Sequence, residues 1–266
     1  MCRLIIHWSV FLLLFCFSFS CFGQAPDAGP YYFSVKRELS YGVLAAGALG
    51  TGFAINQGID DVALAELHLP RVSDFDQTAL EHFSTSAKTA SDITAYTGVA
   101  LPVFLLLSPR SRNDAGNLAV LLAETMVLNQ GVTDIIKSSA RRPRPYLYVE
   151  GEGPEGLVEA YDRTSFLSAH TSNTAAATFF LGRVFADYHP DSKLRPYVWT
   201  LSAALPAVTG YLRIRGGQHF PSDVIAGYVL GASIGYLVPT LHKRPLASKR
   251  LVIVPSAGGV YLSYSL

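Results

Sequence analysis

Long apolar runs separated by short polar breaks dominate the chain, and their length points to helices rather than strands. Six segments read as helices: Tyr41–Ile55, Ile93–Leu107, Asn117–Ile136, Thr171–Tyr188, Tyr197–Ile214 and Val224–Leu241. Proline and polar residues punctuate their ends. Pro143 and Pro145 stop the third helix from running past the Lys137–Arg144 stretch, because proline lacks the N–H that a helix interior needs. Pro190 and Pro196 bracket the turn before Tyr197, and Ser222 reads as an N-cap with Asp223 in the first turn behind it. Asn56–Asp92 is more polar. Gly58, Pro70 and the Asp60-Asp61 pair argue against a span there, and a short surface helix is expected around Asp76–Ser84. In the tail, Val252-Ile253-Val254-Pro255, then Ser256-Ala257-Gly258-Gly259, then Val260-Tyr261-Leu262-Ser263-Tyr264 predicts a β-hairpin.

Composition turns this pattern toward a membrane. Half of the 266 residues are hydrophobic and 15% are charged, with a mean hydropathy of +0.28. The charged share of a soluble domain is nearer to about a quarter. Uncharged runs of about 15 to 18 residues are at or just below the length that spans a bilayer. Arg110 and Arg112, Lys193 and Arg195, and Lys243, Arg244, Lys249 and Arg250 would share one face if Ile93–Leu107 and the four later helices all cross. That face is cytoplasmic by the positive-inside rule, which puts Lys137, Ser168, His170, Arg213 and His219 on the exported, periplasmic or extracytoplasmic, face. The alternative is a soluble exported bundle with buried apolar helices.

The N-terminus carries Arg3, an apolar run from Leu4 to Phe22, and small residues at Ser20 and Gly23. Residues 1–23 therefore read as a signal peptide or an N-terminal membrane anchor. With Ala25–Glu38 exported, charge parity predicts that Tyr41–Ile55 does not cross fully. The six spans would then be the N-terminal segment and the last five helices. The expected organisation is one helical domain over 24–245, with its densest motifs in 117–241, and a tail over 246–266. All three cysteines, Cys2, Cys16 and Cys21, precede that domain, which excludes a disulfide scaffold or a thiolate zinc centre within it. A net charge of +1 identifies no partner by itself, and no nucleic acid is expected.

Three polar clusters sit at helix ends. In Lys137-Ser138-Ser139-Ala140-Arg141-Arg142-Pro143-Arg144-Pro145 the cations suit phosphate, lysine as a point charge and arginine as a planar fork. A topology anchor against anionic lipid is the plainer reading. Ser165-Phe166-Leu167-Ser168-Ala169-His170 opens a helix whose free N–H groups suit an anion, with His170 able to donate a proton, although Ser168 could be only a cap. Arg213-Ile214-Arg215-Gly216-Gly217-Gln218-His219-Phe220-Pro221-Ser222-Asp223 places a histidine four residues before a carboxylate, which could accept Nδ1–H and leave Nε2 free to attack. A helix cap beside a surface histidine would look the same.

Taken in order, lysine, six residues, Arg-Pro; Ser-x-His; and Arg, five residues, His, three residues, Asp, this chain resembles the phosphatidic acid phosphatase type 2 / vanadium haloperoxidase superfamily over Asn117 to Leu241. The resemblance implies an all-α helical bundle, integral to the membrane with about six spans, to which the tail adds its β-hairpin. It implies a phosphatase that needs neither metal nor cofactor. Lys137, Arg144, Arg213, Ser168 and the Ala169 N–H would bind the phosphoryl oxygens. His219 would be the nucleophile, oriented by Asp223, and His170 the acid for the leaving group and base for water. The implied partner is a phosphorylated lipid in the membrane: phosphatidic acid, phosphatidylglycerol phosphate, a polyprenyl diphosphate or a phosphorylated glycolipid. A soluble exported acid phosphatase of broad specificity, a vanadate-dependent haloperoxidase, and a non-catalytic lipid-binding or transport protein are the alternatives. The last has no use for a His-Asp pair. Two departures stand out: Leu167-Ser168-Ala169-His170 where the family usually has Pro-Ser-Gly-His, and Leu212 where it favours serine. Arg141, Arg142 and Arg215 lie outside the signatures and are expected to read a headgroup or a second phosphate.

Overall fold

The computed structural model describes residues 29–244 and the strands 251–256 and 259–264. All six predicted helices are present, and most start earlier than their apolar runs: α1 (Val35–Gln57), α2 (Thr85–Ala100), α3 (Ala115–Ala140), α4 (Ala169–Tyr188), α5 (Arg195–Arg215) and α6 (Pro221–Leu241). Polar caps account for the added turns. The Ser34 and Ser84 hydroxyls accept the N–H groups of Arg37 and Ala87 at the starts of α1 and α2. Around Pro102, whose missing N–H breaks α-helical bonding, α2 tightens into a 3-10 helix over Leu101–Leu107. The surface helix expected at Asp76–Ser84 is a 3-10 turn over Asp74–Leu80. Ser222 is not the cap of α6: that helix begins at Pro221, and Asp223 accepts the Phe220 N–H at 2.9 Å.

At the centre lies α4, packed against α2, α3, α5 and α6. Its contact with α6 is made by backbone. A Cβ at Gly227, Gly231 or Gly235 would lie 2.5, 2.0 or 2.2 Å from the carbonyl oxygens of Ser168, Ser172 and Ala176. Only a strip of glycine lets the helices approach so closely. Against α5, Thr178 and Ser202 exchange hydroxyl-to-carbonyl hydrogen bonds at 2.8 and 2.7 Å. An apolar cluster that includes Tyr31, Phe33, Leu118, Leu121, Phe180, Val184 and Val238 fills the half of the bundle where α3 begins and α4 and α6 end.

Contrary to the charge-parity expectation, α1 runs the full length of the bundle. It lies parallel to α3: a Cβ at Gly131 would meet Ala48, and one at Gly52 would meet Asp134. Its start sits beside the end of α6, where Tyr31 bridges Lys243, and its end reaches Gly58, whose carbonyl accepts from Arg141 at 3.3 Å. Parity counts the N-terminal apolar segment as a span and knows nothing of the partners of α1. The signal-or-anchor segment 1–23 lies outside the described residues. Among the described residues, six helices thus connect the two ends, and α1 is the first of these.

Four of them, α1, α2 with its extension, α3 and α6, are long and apolar enough to cross a membrane, and 17% to 33% of their most apolar windows is buried. The remainder faces outward, including Val43 and Leu44, Ile93 and Phe104, and Ile225 and Val229. Such a belt of exposed apolar side chains suits lipid, not water, and speaks against the soluble bundle. The end bearing Arg110, Arg112, Lys193, Arg195, Lys243 and Arg244 also carries Lys36 and Arg37 of α1. At the opposite end β1 (Val62–Ala63) pairs with β2 (Leu157–Val158), tying the α1–α2 loop to the α3–α4 loop. The tail forms the expected antiparallel hairpin, β3 (Leu251–Ser256) with β4 (Gly259–Tyr264).

Candidate active site

The three clusters converge at the end of the bundle tied by β1 and β2. Lys137 comes from the last turn of α3 and Arg144 from the loop that follows it. Ser168, Ala169 and His170 open α4, Arg213 closes α5, and His219 and Asp223 flank the start of α6. Arg141 takes a left-handed conformation with φ of 47°, which ends α3 and turns the chain toward Arg144. Gly217, with φ of 64°, makes the turn between α5 and α6, where Phe83 leaves no room for a side chain.

His219 is 1% exposed and Arg144, Arg213 and Ser168 are 2%, 1% and 0% exposed. The Arg144 guanidinium lies 3.5 Å from His219 Nε2 and is held from behind, donating to the carbonyls of Tyr161 and Gln218 at 3.0 Å and stacking on the Tyr161 ring. Lys137 Nζ donates to the carbonyls of Thr164 and Leu167. Carbonyls orient these cations without cancelling their charge. Arg213 differs, donating to Ser91 Oγ at 3.2 Å and Asp92 Oδ1 at 3.1 Å. The Ser168 hydroxyl is turned back to cap α4, accepting from the Thr171 N–H at 3.4 Å.

The expected Nδ1–H bond from His219 to Asp223 is not direct. The two atoms are 3.6 Å apart, beyond hydrogen-bond length. Ser165 Oγ stands between them, 3.4 Å from Nδ1, and donates to Asp223 Oδ2 at 2.6 Å. Burial, followed by the nearby charges of Arg144, Lys137 and Arg213, holds the His219 pKa well below the usual histidine value. The imidazole is therefore neutral at neutral pH.

This ordered convergence of motifs agrees with comparison to known sequences, where residues 118–246 match the PAP2 superfamily. That match covers just under half of the chain. It is 25% identical over 142 residues to the lipid A 4'-phosphatase of Porphyromonas gingivalis, a match covering 53% of this chain and 57% of that one. To the decaprenylphosphoryl-5-phosphoribose phosphatase of Mycobacterium tuberculosis it is 32% identical over 117 residues, covering 44% and 57%. The matches thus span under three fifths of these relatives' length. Among solved structures, a transmembrane PAP2-type phosphatidylglycerolphosphate phosphatase from Bacillus subtilis aligns over 78% of this chain and 94% of that one, with a TM-score of 0.47 and 17% identity.

Several residues of the candidate site escape a reading by motif. Asp92, in the second turn of α2, contacts both Arg213 and His170, the latter through Nε2 at 3.1 Å. Arg142 is not free for a headgroup: it is clamped between Asp223 at 2.6 Å and Asp76 at 2.8 Å, over the Phe220 ring. Asp76 also accepts the Ser222 N–H and hydroxyl at 2.9 and 2.8 Å. Burial alone would raise the Asp76 pKa, but Arg142 and Ser222 outweigh it and hold the carboxyl below its usual range. Arg141 and Arg215 are also engaged, with the Gly58 carbonyl and His82 Nε2. Among the described residues, one group of side chains has metal-ligand geometry, Glu38, Glu124 and His242, and it lies at the other end of the bundle.

Proposed function

We propose that this chain hydrolyses phosphate monoesters or diphosphates of membrane lipids through a phosphohistidine intermediate on His219. One observation carries the reading: the buried Arg144 and Arg213 and the half-buried Lys137 meet around a neutral histidine, and among the described residues Asp92 is the one carboxylate in contact with any of them. Asp223 cannot offset them, because Arg142 already neutralises it. Such an excess of buried positive charge calls for an anion, and the forks of Arg144 and Arg213 suit phosphoryl oxygens.

In the first step the Nε2 lone pair of His219 attacks phosphorus, and the bond to the ester or diphosphate oxygen breaks. That oxygen takes its proton from His170, whose Nε2 is positioned by Asp92. The positive charge arising on the His219 ring is stabilised by Asp223 through the Ser165 hydroxyl, with the proton staying on Nδ1. In the second step His170 removes a proton from water, the oxygen bonds to phosphorus, and the P–N bond breaks to release phosphate. Lys137, Arg144, Arg213 and the Ala169 N–H stabilise the charge on the equatorial oxygens throughout.

The lipid substrate follows from the outward apolar belt, which sets the site at the level of headgroups. The names of the relatives, a lipid A 4'-phosphatase and a decaprenylphosphoryl-5-phosphoribose phosphatase, agree with an amphiphile. Since the cations of the opposite end obey the positive-inside rule as a cytoplasmic face, the site opens on the exported side. The test is phosphate release by detergent-purified protein from phosphatidic acid, phosphatidylglycerol phosphate, a polyprenyl diphosphate, a phosphorylated glycolipid and a water-soluble aryl phosphate. A short assay in chelator, with acid-labile phosphate trapped on wild type and absent from His219→Ala, is the expected result. Equal release by both proteins would end the proposal.

A further inference from the structure

At the end of the bundle away from the candidate active site, three side chains from three separate helices point at one another. Glu38 lies in the first turn of α1, Glu124 lies in α3, and His242 follows the last residue of α6. Glu124 precedes Lys137 by 13 residues on the same helix, which separates the two clusters by about 20 Å along its axis. His242 is 0% exposed and Glu124 is 9% exposed. The imidazole is held between the rings of Tyr41 and Phe33, at 4.9 and 5.8 Å between centroids.

The hydrogens of this cluster do not suffice for its acceptors. His242 Nδ1 lies 2.8 Å from the Val238 carbonyl, which can only accept, so Nδ1 carries a hydrogen. Nε2 then faces two carboxylate oxygens, Glu38 Oε2 at 3.3 Å and Glu124 Oε2 at 3.2 Å. One N–H cannot point at both. Glu38 has other support, its second oxygen accepting from Ser34 N–H and Arg37 Nε at 3.3 and 3.1 Å. Glu124 has no support from outside the cluster: apart from the shared His242 Nε2 at 3.2 Å, its buried Oε2 has no hydrogen-bond partner. A buried carboxylate oxygen in that condition is costly unless something positive meets it.

We propose that Glu38, Glu124 and His242 bind a divalent transition-metal cation, with zinc the best match, at a structural site separate from the phosphatase chemistry. The three ligand atoms lie within 4.8 Å of one another. Separations of 3.2 and 3.3 Å from Nε2 match the edge of a tetrahedron, ~3.3 Å for bonds of ~2.0 Å. Two carboxylates and a neutral imidazole balance a doubly charged ion, leaving a fourth position for water. Nδ1–H bonded to a carbonyl is the usual outer support of a metal-bound histidine. The ion ties the start of α1 to α3 and to the end of α6, which the chain otherwise joins there through short contacts such as the Tyr31–Lys243 bridge.

The test uses the full chain in detergent, stripped by dialysis against chelator and then given zinc chloride alone. Bound metal is counted by elemental analysis after gel filtration, and melting is followed in parallel. We expect one zinc per chain and a raised melting temperature, both lost in Glu124→Gln and in Glu38→Gln and both kept in His219→Ala. Glu124→Gln preserves shape, so its stripped form should fold. If wild type takes up no zinc and its melting does not move, the cluster shares a proton instead and the proposal fails. Zinc bound equally by wild type and Glu124→Gln would also overturn it, placing the metal elsewhere, on Cys2, Cys16 and Cys21 for instance.

Discussion

The two ends of the bundle are charged in opposite senses inside. At the end tied by β1 and β2, the buried Arg144 and Arg213 and the half-buried Lys137 have, among the described residues, one carboxylate, Asp92, touching one of them. At the other, the buried Glu124 and the half-buried Glu38 face one histidine. Both clusters share α3, which carries Lys137 near its end and Glu124 in its first half. Asp223 supplies the control. It too is a buried carboxylate, 0% exposed, yet Arg142, Ser165 and the Phe220 N–H satisfy it completely. A buried charge that is balanced builds structure, whereas one left unbalanced marks where a ligand belongs.

The most severe way to break this contrast is to remove the group the cations surround. His219→Ala should lower turnover by on the order of 10⁴-fold or more, measured as phosphate release, with expression and melting little changed. Activity within tenfold of wild type would remove His219 from the nucleophile's role. Next in size is the loss of balance at Asp223. Arg142→Ala should destabilise the protein by about 3 kcal/mol, because it leaves a buried carboxylate unpaired. Denaturation in detergent would detect it, and Asp76→Asn, which leaves Arg142 on Asp223, should cost clearly less. Arg213→Ala should raise the barrier by about 3 kcal/mol, roughly a hundredfold in kcat, if it acts in the transition state as one oxyanion donor does. A change confined to KM would make it a binding group only.

The smallest effect comes from pH. The His219 pKa is depressed in the folded protein, so as pH falls below about 6.5 the unfolded chain takes up a proton that the folded one refuses. Stability from this residue is fully present above that pH and is lost toward acid, by up to about 1.4 kcal/mol per pH unit. Melting of wild type between pH 7 and pH 5 should therefore fall more steeply than that of His219→Gln. Parallel curves would show that the histidine does not titrate alone.

Much of this was legible in the chain because apolar run length and proline breaks report on helices directly. The six helices and the tail hairpin were readable that way. So was the convergence of Lys137, Arg144, Ser168, Ala169, His170, Arg213, His219 and Asp223, since each sits at the same end of its helix. What escaped depends on neighbours far away in sequence. Asp92 gains meaning only when α2 packs on α5 and sets it beside Arg213. Asp76 comes from a loop without any motif, and Arg142 looked free because its partners are a carboxylate in that loop and one in α6. Ser165 stood in plain view beside Ser168, but the 3.6 Å gap it fills between His219 and Asp223 is a matter of packing. The path of α1 was misread for a similar reason: charge parity has no knowledge of Gly52 and Gly131, which seat that helix along α3.

The glycine strip of α6 has a mechanical consequence. The two histidines of the site are divided between α4, which holds His170, and the start of α6, which follows His219, and these helices touch backbone to backbone at Ser168, Ser172 and Ala176. Backbone contacts have no rotamers to change, so the pair behaves as a single strut. When the surrounding bilayer thins, thickens or curves, the outer helices can tilt to follow it while the distance between His170 and His219 stays fixed. A phosphatase acting on the lipids around it, as proposed above, would thereby keep its reaction geometry independent of the bilayer's shape.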